Sequence, residues 1–280
     1  MFKHSLTIRE GGLLINVLAR EMPLLPARAI REALKKRDIK INGVRIRENT
    51  DLKSGDRVEI YTPVNEKEIP IVYEDKDCII VNKPAGLNTD NSARSAFSLL
   101  TWAQTRAEAN EKMALVHRLD NKTEGLVILS KNDRAEAELK ALFKERKITK
   151  QYECLVKGEM PRKSAVLSAY LLKDPKEARV KVFENQVPNS KEILTEYEVL
   201  ASGPKSRLLI TLHTGRTHQI RAHLAFLGHP ILGDDVYGER DFNRLYKASD
   251  LKLCAKTLIF DEDCPVPGLR GKRFDIKPSF

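Results

Sequence analysis

Past residue 70 the chain breaks into short apolar runs, and that rhythm limits the folds open to it. Runs of strand length fall at residues 69–73, 78–82, 126–130, 151–157, 195–199 and 208–213. Apolar runs this short, bounded by turn residues, read as buried or half-buried strands. Three longer stretches, 97–110, 133–146 and 217–227, read as helices. Strands outnumber helices, and hairpin-like neighbours are common. The expectation is an α+β domain on a mixed, mostly antiparallel central sheet with flanking helices.

Residues 12–62 read as a separate, small α+β unit. Leu13, Leu14, Val17 and Leu18 recur at helical spacing, and a second helix follows over about 27–37 with Ile30 and Leu34 inward. Ile39 and Ile41 alternate with polar residues up to Asn42-Gly43, the preferred pair for a two-residue hairpin turn. Val44 and Ile46 alternate beyond it, and Val58 and Ile60 make a third strand. Residues 63–70 carry two prolines and mixed charge and read as a linker. The large domain is then 71–280.

The formal net charge is +10, an excess that points to a polyanionic partner. Residues 1–63 hold 13 Lys/Arg against 8 Asp/Glu. Half of the excess thus lies in under a quarter of the length. Arg28, Arg31 and Lys35, at offsets of three and four, share one face of the second helix. Lys36, Arg37 and Lys40 extend that patch, which suits contact with phosphates. No stretch approaches 20 apolar residues and the N-terminus lacks an apolar signal segment, so no membrane association is expected. The four cysteines are scattered, with no metal-type pairing, and Cys78 and Cys154 fall inside apolar runs as buried thiols. A cytoplasmic monomer is expected.

Two clusters carry the chemistry. The first, "VHRLDNKTEGLVILSKN" at 116–132, places a His, an Arg and an Asp within four residues just ahead of an apolar strand. A lone Asp in a turn is most often a cap or an Asx-turn. The second, "HTGRTHQIRAHLAFLGHPILGDDVYG" at 213–238, runs from a strand end through a tight turn into a helix near Thr217 that Gly228 ends. Arg216 and Arg221 bracket the first turn and a half, an arrangement that attracts anions. His213, His218 and His223 are five residues apart, which does not place them on one helix face, so hydrogen-bonding roles are expected rather than a metal site.

"HRLDNKTEG", "KPAG" at 83–86 and "TGRTHQIRAHLAFLGHPILGD" together resemble the RluA-type RNA pseudouridine synthases. The N-terminal unit resembles a small RNA-binding module first seen in a ribosomal small-subunit protein. Together these resemblances cover roughly residues 12–262. They imply an enzyme that converts specific uridines in RNA, above all large-subunit ribosomal RNA, to pseudouridine without a cofactor or metal; transfer RNA is the alternative substrate. They imply that Asp120 is the catalytic aspartate and that Arg221, with Arg216 as fallback, holds it ionised. Desolvation raises a carboxyl pKa and a nearby guanidinium opposes that. Tyr152 matches an active-site tyrosine that stacks on the base, and Arg118 an arginine that fills the gap left by the flipped base. Glu124 departs from the family pattern and is expected to face solvent or to pair with Lys122 or Arg118. Two other classes are the alternatives: a non-catalytic RNA-binding or ribosome-assembly factor on the same fold, its function carried by the basic N-terminal helix, against which Asp120, Tyr152 and Arg221 together argue, and a nucleoside or glycoside hydrolase built on the same carboxylate. The hydrolase wants a second carboxylate, for which only Glu124 is close in sequence.

Overall fold

The computed structural model describes residues 2–22, 25, 27–62, 69–91, 98–174 and 179–280. They divide into two compact units, the first ending at Ile69 and the second beginning at Pro70. The expected linker lies almost wholly outside the described residues.

In the first unit, helices Leu14–Glu21 and Ala27–Lys35 accompany a four-stranded antiparallel sheet. Its order is Phe2–Thr7, Arg57–Thr62, Ile39–Ile41, Val44–Arg45. Val17, Leu18, Ile30, Leu34, Ile39, Val58 and Ile60 close one apolar core. Asn42 (φ 48°) and Gly43 (φ 85°) both take the left-handed conformation that the tight hairpin demands. The unit extends ahead of residue 12. Phe2–Thr7 pairs along its whole length with Arg57–Thr62, and Leu6 and Ile8 join the core. The polar residues between them hide that strand in the sequence. Leu13 is exposed, because it pairs with Asp51 ahead of the helix. On the second helix Arg31 and Lys35 are exposed, and the Arg28 side chain lies outside the described residues.

The second unit is α+β, on a sheet of eleven described strands. Its main path runs Val180–Phe183, Ser164–Lys173, Lys191–Ala201, Lys205–Leu212, Ile148–Lys157, Leu253–Phe260, Glu124–Ser130, Cys78–Lys83, Ile71–Glu74. Between these strands every described ladder is antiparallel except that of Glu124–Ser130 with Leu253–Phe260. Three of these strands are not legible as apolar runs. Ser164–Lys173 and Val180–Phe183 interleave small and polar residues, and Lys256 and Thr257 interrupt Leu253–Phe260.

Three helices occupy the expected stretches but are shorter, at Leu99–Arg106, Asp133–Glu145 and Gln219–Phe226. Asn132 caps the second by accepting the Ala135 amide at 2.9 Å, and Arg146 ends it with φ 61°. Its Leu139 and Leu142 pack with Cys78, Ile80, Leu126, Ile128 and Leu258. Ile220 and Leu224 of the third helix pack with Cys154, Val156, Leu208 and Ile210. All four cysteines are buried and free. Among the described residues no helix is long and apolar enough to cross a membrane.

Gly125 makes the one parallel pairing possible. Its φ is +123°, and a Cβ there would lie 2.3 Å from the Ala255 carbonyl oxygen. Only glycine lets the strand that leaves the Asp120 turn run so close to its parallel neighbour.

Candidate active site

The turn that carries Asp120 is tied down from three sides. His117 Nε2 accepts the Ile128 amide at 3.0 Å, and its ring stacks on Phe143 with centroids 4.4 Å apart. The Thr89 hydroxyl donates to the Leu119 carbonyl at 2.7 Å and accepts the Leu119 amide at 3.2 Å. The Asn121 side-chain amide donates to the Gly86 carbonyl at 3.0 Å, and the Gly86 amide donates back to the Asn121 carbonyl at 2.8 Å. Beneath them Lys83 is fully buried and donates to the carbonyls of Pro84, Leu87 and Asn121 at 3.1, 2.8 and 3.1 Å. Burial draws Lys83 down to about 7, against the charges of Asp120 and Glu124. Three carbonyl acceptors match the three donors of an ammonium. The "KPAG" segment is thus the floor on which the Asp120 turn rests. Lys83 itself was not among the expected site residues; its signal is a lysine closing an otherwise apolar strand.

The facing wall comes from 213–238. The side chain of the buried Gln219 is fully satisfied. Its Oε1 accepts the Arg216 amide and the Thr214 hydroxyl, and its Nε2 donates to the Leu194 carbonyl and the Thr195 hydroxyl, all within 3.1 Å. This fixes the turn, and His218 takes φ 54°, so the helix starts at Gln219 rather than at Thr217. Arg221, two residues into that helix, projects a guanidinium that is only 4% exposed.

That guanidinium joins three carboxylates. Nε and Nη2 make a two-pronged pair with Asp234 at 2.7 and 2.9 Å, and Nη1 reaches Asp120 Oδ2 at 3.3 Å. Asp235 lies 3.8 Å from Nη2. Asp234 is buried and also accepts the amides of Val236 and Tyr237 at 2.8 and 3.0 Å. Burial pushes the Asp234 carboxyl up, but Arg221 and those amides hold it below the usual carboxylate range. Asp234 therefore orients Arg221, leaving one prong for Asp120. Asp120 keeps 23% of its side-chain surface exposed, toward a cavity of about 590 Å³. Among the described residues that line the cavity it is the only acid, against six lysines and arginines.

Tyr152 lies in the same cavity. Burial, and then the charge of Asp120, push its phenol well up, and its hydroxyl has no hydrogen-bond partner among the described residues. His218 Nδ1 lies 3.0 Å from the Tyr237 hydroxyl, and its Nε2 is 3.6 Å from Asp120 Oδ2. Burial lowers the His218 pKa although Asp120 opposes it. A neutral His218 that accepts the tyrosine proton on Nδ1 presents Nε2–H to the carboxylate.

Of the expected site residues, the fold brings Asp120, Tyr152, Arg118, Arg216 and Arg221 to one cavity. Arg221 reaches the aspartate; no described contact links it to the Arg216 side chain, which is exposed. Arg118 pairs with Asp90 at 2.7 Å and remains largely exposed. The Glu124 expectation needs correction. Lys122 is taken by Asp235 and Arg118 by Asp90, so Glu124 instead accepts the amide and hydroxyl of Ser279, both at 2.7 Å. His213 pairs with Glu196 and His223 with Thr195, but His218 lies at the site itself. Asp234 and Tyr237 also went unnoticed. An acid 13 residues from its arginine across a loop has no periodic signature.

The buried histidines make stability pH-dependent. Burial draws His117 down to about 3 and His223 to about 4, so both are neutral in the folded chain. Unfolded, each takes up a proton below about 6.5. Their contribution is fully present above that value and is lost as pH falls, by about 1.4 kcal/mol per pH unit for each histidine. Urea unfolding at pH 6.5 and pH 5 should therefore differ by about 3 kcal/mol. Equal midpoints would mean that these rings are protonated in the folded chain.

Comparison with known proteins follows the same residues. The profile of a family described as RNA pseudouridylate synthase matches residues 77–226. An uncharacterized RNA pseudouridine synthase of Aquifex aeolicus is 34% identical over 248 residues, covering 82% of this chain and 78% of its own. The ribosomal large subunit pseudouridine synthase C of Vibrio vulnificus is 31% identical, covering 83% and 78%. Among solved structures, human RNA Pseudouridylate Synthase Domain Containing 1 superposes with a TM-score of 0.60 at 27% identity, covering 78% of this chain and 93% of that one.

Proposed function

The chain belongs to the RNA pseudouridylate synthase family, and from that premise we propose that Asp120 performs the isomerisation with Arg221 and Tyr152. The protein converts uridine to pseudouridine in RNA. The reaction breaks the bond between N1 and the anomeric carbon, turns the base and joins C5 to that carbon. C5 gives up its proton and N1 gains one, so no external oxidant or reductant is needed.

One observation carries the assignment. Among the described residues the only acid lining the cavity is Asp120, and a buried guanidinium donates to it at 3.3 Å. A carboxylate held ionised beside the sugar can act at the anomeric carbon as the base departs. Arg221 sets a positive charge against it, and Asp234 keeps Arg221 aimed. Tyr152 stays protonated because its phenol is pushed up. It therefore serves the base by stacking and by relaying a proton, not as a pre-formed phenolate. Arg118, exposed at the rim, occupies the gap left when the uridine leaves its stack.

The substrate we infer is large-subunit ribosomal RNA, acted on by a cytoplasmic monomer. Relatives named as ribosomal large subunit synthases support it, as does the basic N-terminal unit. The test is pseudouridine mapping of cellular RNA with and without this protein. Loss of signal confined to large-subunit ribosomal RNA is the expected result; loss confined to transfer RNA would overturn the substrate assignment. The basic helix makes a further prediction. Changing Arg31 and Lys35 to alanine should weaken RNA binding and lower the slope of log affinity against log salt by about 1.4 to 1.8. An unchanged slope would take this helix out of the phosphate interface.

A further inference from the structure

The cavity holds more positive charge than Asp120 needs. Arg221 is committed to Asp234 and Asp120, and Arg118 to Asp90. That leaves Lys144, Arg146, Lys150 and Arg216, none of which has an ion-pair partner among the described residues. Three of these are exposed, where a lone cation costs little. Lys150 is different. It is half-buried, and its ammonium sits 5.7 Å from the centre of the Phe143 ring with no described acceptor. Burial, and then the charge of Arg146, make its cationic form less favourable than in water. A half-buried ammonium beside a second cation is stabilised by an incoming anion.

Its placement indicates which anion. Lys150 and Tyr152 alternate on the strand Ile148–Lys157 and so project from the same face, about 7 Å apart. The register shift beside Tyr152 is absorbed by Lys256 in the neighbouring strand, which leaves this alternation intact. Gly215 lies beside the ammonium of Lys150, 3.5 Å from where a Cβ on it would sit. Arg146, which flanks it, holds φ 61° at a helix end where glycine is usual.

We propose that Lys150, flanked by Arg146 and open on the Gly215 side, is an anion subsite that binds an RNA backbone phosphate adjacent to the uridine. The inference deepens the reading of this cavity as the uridine site and rests on it. Tyr152 would contact the base, and Lys150 a phosphate one step along the same strand.

The test uses the full chain carrying Asp120→Asn, so that binding is read without turnover, with poly(U) as the probe. Lys150→Met keeps the apolar stem and removes the charge; Lys150→Arg keeps the charge. Lys150→Met should weaken poly(U) binding several-fold at low salt and lower the salt slope by about 0.7. Lys150→Arg should retain the slope. Poly(U) should also protect Lys150 from acetylation by acetic anhydride. Lys163, exposed and outside the cavity, is the control. The subsite is refuted if Lys150→Met leaves the slope unchanged, or if Lys163→Met lowers it equally. Failure of the Asp120 assignment has a different signature, residual turnover by Asp120→Asn, and does not alter these slopes.

Discussion

Asp120→Asn should reduce pseudouridine formation by about 10⁴-fold or more while changing RNA affinity by no more than a few-fold. Asparagine matches aspartate in shape, and the Arg221 prong would still find an oxygen. What is lost is the negative charge that the anomeric carbon requires. Among the described residues Asp120 is also the only acid in a cavity lined by six cations, so neutralising it cannot weaken attraction for a polyanion. Single-turnover isomerisation and equilibrium RNA binding, measured on the same preparation, separate the two effects. A variant that still turns over near the parent rate would remove Asp120 from the chemistry. A parallel collapse of binding would make it a folding residue.

The second large effect concerns Arg221. Its side chain is 4% exposed and that of Asp234 is fully buried, so removing the guanidinium strands a carboxylate in the interior. Arg221→Met should cost about 3–5 kcal/mol in stability and abolish activity. Much of that cost comes from the unpaired Asp234. Adding Asp234→Asn removes the stranded charge but keeps an oxygen for the Val236 and Tyr237 amides. The double variant should regain most of the lost stability, to within about 1–2 kcal/mol of the parent. It should not regain activity, because no guanidinium then donates to Asp120. Urea unfolding paired with activity decides the matter. Activity recovered together with stability would show that Arg221 acts through the fold alone.

Much of the architecture was legible in the sequence because local rules govern it. The Asn42-Gly43 turn needs two left-handed residues, and that pair supplies them. Cys78–Lys83 and Glu124–Ser130 announce themselves as buried central strands. The helix after Asn132 starts where its cap stands. One strand without an apolar signature has partners that are remote in the chain. Leu253–Phe260 lies between Ile148–Lys157 and Glu124–Ser130, more than 90 residues earlier in the chain. Its polar Lys256 and Thr257 make sense only once Glu153 and Asp275 are seen to receive them, at 2.6 Å each.

The candidate site divides the same way. Residue type and motif order, through the family they resemble, were enough to nominate Asp120, Tyr152 and Arg221, because the chemistry needs a carboxylate, an aromatic ring and a cation. Which arginine reaches the carboxylate was decided only by the tertiary structure. Gln219 and the left-handed His218 set where the helix begins, and that rotation aims Arg221 inward while leaving Arg216 at the surface. Asp234 and Tyr237 could not be read from sequence for the same reason. They hold other side chains in place, and an interaction between residues far apart in the chain leaves no pattern in the order of either segment.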